Sequence, residues 1–370
     1  MLIRRNDALP GPGTPPRTWT PAESAGDSGR AAGRLLAAAA TPGAGALALV
    51  SIGCSSLSKP DLEAALLALK KNAPIAELGL RRTTLMLDGE PHELVYAYAP
   101  SRSSDPARTP VVLVHGTPST LFTWAALARG GAGFDSLDAD RDVYLIEVVG
   151  HGVAPEGPRA SEPTTFQVCA DYVAAALDAL ELERALLVGQ SYGGEFAWRA
   201  ARDHPGRVAG LAIMSSSGYE RAEGDWLPEE VEMRENGLAD YGWLLNSRSR
   251  VERALAPHFQ QIPPERTEEF FLVCENRSNW HAMIDLARDE NGDREDDIAG
   301  ISVPTLVLWG ADDAGYDPVA YGERFARDIP DAEFRLVEGS GHYPQEERPA
   351  ETARALAEFF RRVDAAEAAR

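Results

Sequence analysis

The chain has 370 residues, enough for one large or two modest domains, and 44% of them are hydrophobic, enough for a buried core. Its net charge of −21 repels phosphate backbones and excludes nucleic acid as an expected partner. After residue 60 no run of eighteen apolar, charge-free residues occurs, so nothing in the body of the chain reads as a membrane span.

The first 60 residues read as a leader. Residues 1–34 are rich in Pro, Gly, Ala and Arg, a composition expected to stay disordered. From Leu35 to Gly53 there is no charge, Arg30 and Arg34 precede the stretch, and it ends Gly53-Cys54-Ser55-Ser56. Basic residues, an apolar stretch and small residues before a cysteine resemble a bacterial lipoprotein signal, in which Cys54 would carry the lipid. That reading makes the protein exported and attached to a membrane. Against it stand the length of the leader and its interruption by Pro42-Gly43. The alternative is an Ala-rich leader on a cytoplasmic protein.

Beyond the leader, strand and helix patterns alternate. Strands are expected at 83–88, 93–98, 110–115, 142–148, 185–190, 208–214, 303–309 and 333–338. Val111-Val112-Leu113-Val114 and Val143-Tyr144-Leu145-Ile146 are continuous apolar runs, as in parallel strands covered on both faces. Over residues 165–181, Phe166, Ala170, Val173, Leu177 and Leu180 recur at helical spacing. The alternation predicts an α/β fold, a mostly parallel eight-stranded sheet with helices on both faces. Residues 219–299 break it. They are rich in Glu, Asp and Arg, with helical phasing and scattered aromatics, and read as a helical insertion that divides the core into 61–218 and 300–370. Most of those aromatics are expected to pack the insertion onto itself and the core. Trp124, after the first His-Gly loop, is a candidate substrate-pocket residue.

Residues 189–193, Gly-Gln-Ser-Tyr-Gly, sit between the apolar run 185–188 and a helical pattern. A serine on a sharp strand-to-helix turn has strained dihedrals and tolerates only very small neighbours. The strain pushes the Ser191 hydroxyl out of the sheet top, and the helix start aims N–H groups at the same place. A serine hydroxyl needs a base held by a third group. Of seven histidines, His342 follows a strand-like run and lies in the flexible loop Gly339-Ser340-Gly341-His342. Asp313 follows the strand 303–309 and is the candidate acid, with Asp312 and Asp317 as alternatives; one of the three is expected to cap the helix 318–329 instead. No C-x-x-C pair, no His-Glu-x-x-His and no G-x-G-x-x-G at a first strand occurs, so neither a metal nor a cofactor is implied.

The order Ser191, Asp313, His342 resembles the α/β-hydrolase superfamily. The resemblance runs from about Thr83 to Val363 and includes His115-Gly116-Thr117-Pro118, Gly150-His151-Gly152, the serine turn, Trp309-Gly310-Ala311-Asp312-Asp313 and Gly341-His342. It implies the α/β-hydrolase fold, a helical cap over the active site at 219–299, and an oxyanion hole from the backbone N–H groups of Thr117 and Tyr192. His115 is expected to be structural. The His-Gly-Thr-Pro loop is similar to epoxide hydrolases and haloalkane dehalogenases, whose nucleophile is an aspartate. Ser191 stands at that position here, so their chemistry does not carry over.

The function expected is cleavage of carboxylic esters, thioesters or lactones in a small-molecule substrate. Carbon–carbon bond hydrolysis or a perhydrolase-type reaction on the same triad is the alternative. A non-catalytic ligand-binding protein is disfavoured because all three triad residues are kept.

Overall fold

Eight runs of aliphatic and aromatic residues form one sheet in the computed structural model, which describes residues 56–104, 108–130, 133–155 and 163–369. The strands are β1 (Arg81–Leu87), β2 (Glu90–Ala99), β3 (Val111–Val114), β4 (Val143–Ile146), β5 (Ala185–Gln190), β6 (Val208–Met214), β7 (Thr305–Gly310) and β8 (Ala332–Val337). Their order is β1-β2-β4-β3-β5-β6-β7-β8. The hairpin β1-β2 turns through Asp88 and Gly89, both with positive φ as a two-residue hairpin loop requires. Only the β1-β2 and β2-β4 pairings are antiparallel; the rest are parallel.

The central strands are buried on both faces, and alternate side chains feed two cores. Val112, Val114, Leu187, Leu211, Ile213, Val307 and Trp309 join one apolar cluster; Val111, Leu113, Leu186, Val188, Ala212, Leu306 and Leu308 join the other. Against the first pack α3 (Phe166–Ala179), α4 (Tyr192–Asp203) and, further along the chain, α9 (Glu323–Asp328). Thr165 caps α3 by accepting the N–H of Val168. Against the second pack α1 (Lys59–Leu69), α2 (Ala125–Arg129) and α11 (Pro349–Ala368).

Residues 56–60, expected to belong to the leader, are part of the fold. Ser58 caps α1, accepting the Asp61 N–H, with proline in the first turn, and the Leu57 N–H donates to Glu275 O at 2.9 Å. Ser58-Lys59-Pro60 is a helix-start signal that composition alone reads as linker. Cys54 lies outside the described residues.

Between β6 and β7 stand α5 (Pro228–Glu235), α6 (Arg248–Leu255), α7 (Pro264–Glu275) and α8 (Arg277–Asp289). Phe259 and Phe270 cluster with Val251, Leu255 and Tyr343, while Trp280 packs against Ala239, Cys274, Met283 and Ile284. The insertion is not charged only on its outside. Arg266 and Glu269 are each 1% exposed and pair at 2.8 Å, with Lys70, just after α1, on Glu269 and Glu346 on Arg266. The short helix α10 (Pro344–Glu347) carries Glu346 and follows His342 directly.

Candidate active site

Ser191 lies between β5 and α4 with φ 57° and ψ −130°, a conformation that costs on the order of 1–3 kcal/mol for a non-glycine residue. The close approach that makes the turn excludes side chains beside it. A Cβ at Gly189 would lie 2.1 Å from the Gly193 oxygen, and one at Gly193 would lie 2.4 Å from the carbonyl oxygens of Val114 and His115. The Ser191 N–H is held by Met214 O at 2.9 Å. Ser191 therefore stands at the C-terminal end of the sheet, where the other parallel strands also end.

The loop after β3 lies against the serine. A Cβ on Gly116 would come within 2.7 Å of Ser191 Cβ and 3.2 Å of its Oγ. Thr117 follows, its hydroxyl bonded to His151 Nε2, whose Nδ1 faces Val149 O at 3.0 Å. The carbonyl needs a donor, so Nδ1 carries the proton and Nε2 accepts from Thr117. His115 is likewise fully buried. Its Nδ1 faces Gly116 O at 2.8 Å and its Nε2 accepts the Val148 N–H at 3.1 Å. Burial, then the neighbouring His151, lowers the His115 pKa to about 3; burial lowers that of His151 to about 4. Both are neutral braces under this loop. The Tyr192 N–H opens α4, where the first N–H groups have no partner inside the helix.

His342 and Asp313 come together from the loops after β8 and β7. His342 Nδ1 is 2.8 Å from Asp313 Oδ2, and Asp313 Oδ1 accepts the N–H groups of Gly315 at 3.0 Å and Tyr316 at 3.1 Å. Burial opposes ionisation of Asp313, but His342 and the donated hydrogen bonds hold its pKa below the usual carboxylate range. The structure brings Asp313, not its alternatives, to His342. Asp312 is exposed, and Asp317 accepts the N–H groups of Val319 and Ala320 at the start of the next helix. Gln190 ties serine and histidine loops together, its side-chain amide donating to His342 O at 2.8 Å. With Nδ1 facing Asp313, the Nε2 edge of His342 is the one free to serve as base.

Two neighbours of His342 were not evident from sequence. Tyr316 stacks on its ring, with centroids 5.5 Å apart and planes at 19°. The Tyr316 hydroxyl donates to Glu290 Oε1 at 2.7 Å, and the Tyr192 hydroxyl donates to Glu290 Oε2 at 2.6 Å. His258, from the insertion, accepts the His342 N–H on its carbonyl at 2.8 Å, and its ring lies 5.2 Å from that of His342. Burial, then His342, lowers the His258 pKa to about 4. These contacts join residues 26 to 98 positions apart with no motif of their own; the one available signal was a histidine and a glutamate in a charged stretch.

Trp124, the expected pocket residue, is fully buried in the core cluster with Leu121, Phe122 and Leu127. The site itself is covered: Ser191 is 5% and His342 3% exposed.

The model of the Alpha/beta hydrolase family matches residues 111–355. An uncharacterized hydrolase of Bacillus subtilis, YugF, is 25% identical over 268 residues, covering 70% of this chain and 92% of its own. The 2-hydroxymuconate semialdehyde hydrolase of a Pseudomonas species is 29% identical over 265 residues, covering 70% and 88%. Among solved structures, that of a membrane phospholipase A, described as a bacterial virulence factor, superposes with a TM-score of 0.66 at 26% identity, covering 81% of this chain and 92% of that one. The family match spans well over half of the sequence and both halves of the sheet that hold the serine, aspartate and histidine, so the chain belongs to the alpha/beta hydrolase family.

Proposed function

We propose that the protein is a serine hydrolase of carboxylic esters, thioesters or lactones. The observation that carries this reading is the strained Ser191 turn joined through Gln190 to a buried His342–Asp313 pair. Ser191 Oγ attacks the carbonyl while His342 Nε2 takes its proton. The N–H groups of Thr117 and Tyr192 receive the oxyanion. His342 returns the proton to the departing alcohol, leaving an acyl-serine. Water then adds to the acyl carbonyl, again with His342 as base, and releases the acid and the free serine. Asp313 holds the imidazole in the tautomer with Nδ1–H and stabilises the imidazolium. The 26% identity to a membrane phospholipase A supports an acyl-ester substrate.

Carbon–carbon bond hydrolysis on the same three residues is the second reading, supported by the similarity to 2-hydroxymuconate semialdehyde hydrolase. In both readings the helices between β6 and β7 act as a cap that shapes the pocket and must move for substrate to enter. Hydrolysis of p-nitrophenyl esters from acetate to octanoate, by the full chain and its Ser191→Ala variant, tests the first. It stands if the variant loses at least ~10³-fold. Inert esters together with fluorophosphonate labelling of Ser191 favour the second. Lipid attachment at Cys54 stays part of the proposal on sequence grounds; incorporation of a labelled fatty acid in a bacterial host, lost in Cys54→Ala, tests it.

A further inference from the structure

We propose that His258, Asp313 and His342 form a binding site for a borderline transition-metal ion, zinc foremost, and that the bound ion switches the hydrolase off by capturing its base. The inhibition half rests on the serine-hydrolase reading; the binding half does not.

The three residues come from the insertion, the loop after β7 and the loop after β8. Each offers one ligand-capable atom, and these atoms all lie within 4.8 Å of one another. Around a tetrahedral zinc with bonds of about 2.0–2.2 Å, ligand atoms sit ~3.3 Å apart, so the set needs to close by roughly an ångström or so. Two features favour that closure. The His258 Nδ1 is buried with no hydrogen-bond partner, an unmet lone pair or proton at the edge of the cluster. The gap beside it is kept clear by Gly315, where a Cβ would lie 3.1 Å from His258 Nδ1 and 3.5 Å from Asp313 Oδ1. The backbone bond from His342 N–H to His258 O, at 2.8 Å, keeps the two imidazoles together whenever the insertion is in place.

Two imidazoles and one carboxylate suit zinc, copper or nickel, and not the hard cations magnesium and calcium. The chemistry of inhibition follows from which nitrogen of His342 the ion takes. At Nδ1 it takes the lone pair, the imidazole proton moves to Nε2 and fills the lone pair there, and the hydrogen bond to Asp313 is broken. At Nε2 it occupies the lone pair that would receive the serine proton. In both cases the base is lost, and chelation of the ion restores it.

Zinc titration by calorimetry, with cobalt(II) absorption as a second readout, measures binding to the full chain and to Ser191→Ala without any turnover. One saturable site is expected. His258→Gln should weaken it at least ~10-fold and raise by the same factor the zinc concentration that halves that variant's own esterase rate. Asp313→Asn, read by binding alone, provides a second ligand change should His258→Gln fail to fold. His204→Gln, at an exposed histidine, should leave binding as it was. The proposal is overturned if the protein shows no saturable site, or if His258→Gln and Asp313→Asn bind zinc like the parent. Binding without inhibition overturns the inhibition half alone. An inert enzyme that still binds zinc through His258 would sink the ester reading and leave the site standing.

Discussion

The side-chain amide of Gln190 reaches the backbone carbonyl of His342 at 2.8 Å, although β5 and β8 are separated in the sheet by β6 and β7. No ladder hydrogen bond can set the spacing of two strands that are not neighbours. The distance between the serine and histidine loops is set by contacts across the sheet top, and this one starts next to Ser191.

Gln190→Ala should therefore lower kcat more than it raises KM. Removing the amide leaves a buried carbonyl without its donor, a cost of about 1–3 kcal/mol in stability. A base displaced by even an ångström loses up to ~10²-fold in rate. Steady-state kinetics and a thermal melt on the same preparation separate the two effects. A lowered Tm with unchanged kcat would mean that the bond holds only the fold.

Asp313→Asn should lower kcat by ~10³–10⁴-fold, the size known for the equivalent change in serine proteases. The asparagine oxygen can still accept from Gly315 and Tyr316, so the loop should keep its shape. Its amide, however, would face His342 Nδ1 and demand the opposite tautomer, which removes the free lone pair at Nε2. Asp312→Asn, at an exposed position beside it, should retain near-parental rates.

The central strands were readable because each is a short apolar run bounded by turn residues, and β3 and β4 in particular are buried on both faces. The serine turn was readable because its backbone strain dictates the residues two before and two after it. The choice among Asp312, Asp313 and Asp317 was not, since all three follow the same strand and only loop geometry separates an ion-pair partner from a helix cap. Charge misled most. Arg266, Glu269, Glu290 and His258 look like a solvated face in sequence, yet each is paired or enclosed in the fold. Their partners lie on distant elements, and long-range pairing leaves no periodic trace. Trp124 shows the converse: an aromatic near the site by sequence that packs into the core.

Tyr192→Phe should slow turnover modestly through position, not contact. The hydroxyl of Tyr192 is held by Glu290, which also holds Tyr316 against His342, so one carboxylate steadies the residue after Ser191 and the ring stacked on His342. Loss of one such buried hydrogen bond to a charged group costs about 1.5–3 kcal/mol. Glu290→Ala strands both hydroxyls and should exceed the effect of Tyr192→Phe in a melt. If Glu290→Ala melts like the parent, the network carries no stability.

Stability should be greatest near pH ~6.5. His115 and His151, neutral in the fold with pKa values lowered by burial to about 3 and 4, take up protons on unfolding below the ordinary histidine value of ~6.5. Their contribution is present above that pH and is lost as pH falls through the window down to 4 and 3. Glu147 and Glu195 behave in the opposite sense. Burial raises them to about 8 and 7, so they stay protonated in the fold while the unfolded chain has already ionised. Their contribution is fully present below pH ~4.5 and is lost as pH rises through 7 and 8. Between pH ~4.5 and ~6.5 these two histidines and His258, lowered by burial to about 4, oppose the two glutamates. Below that range the histidines act alone and above it the glutamates, each group with a slope of at most about 1.4 kcal/mol per pH unit. Urea melts from pH 4 to 8.5 measure the curve. A stability that keeps rising from pH 6.5 to 8 would show that Glu147 and Glu195 are ionised in the folded protein.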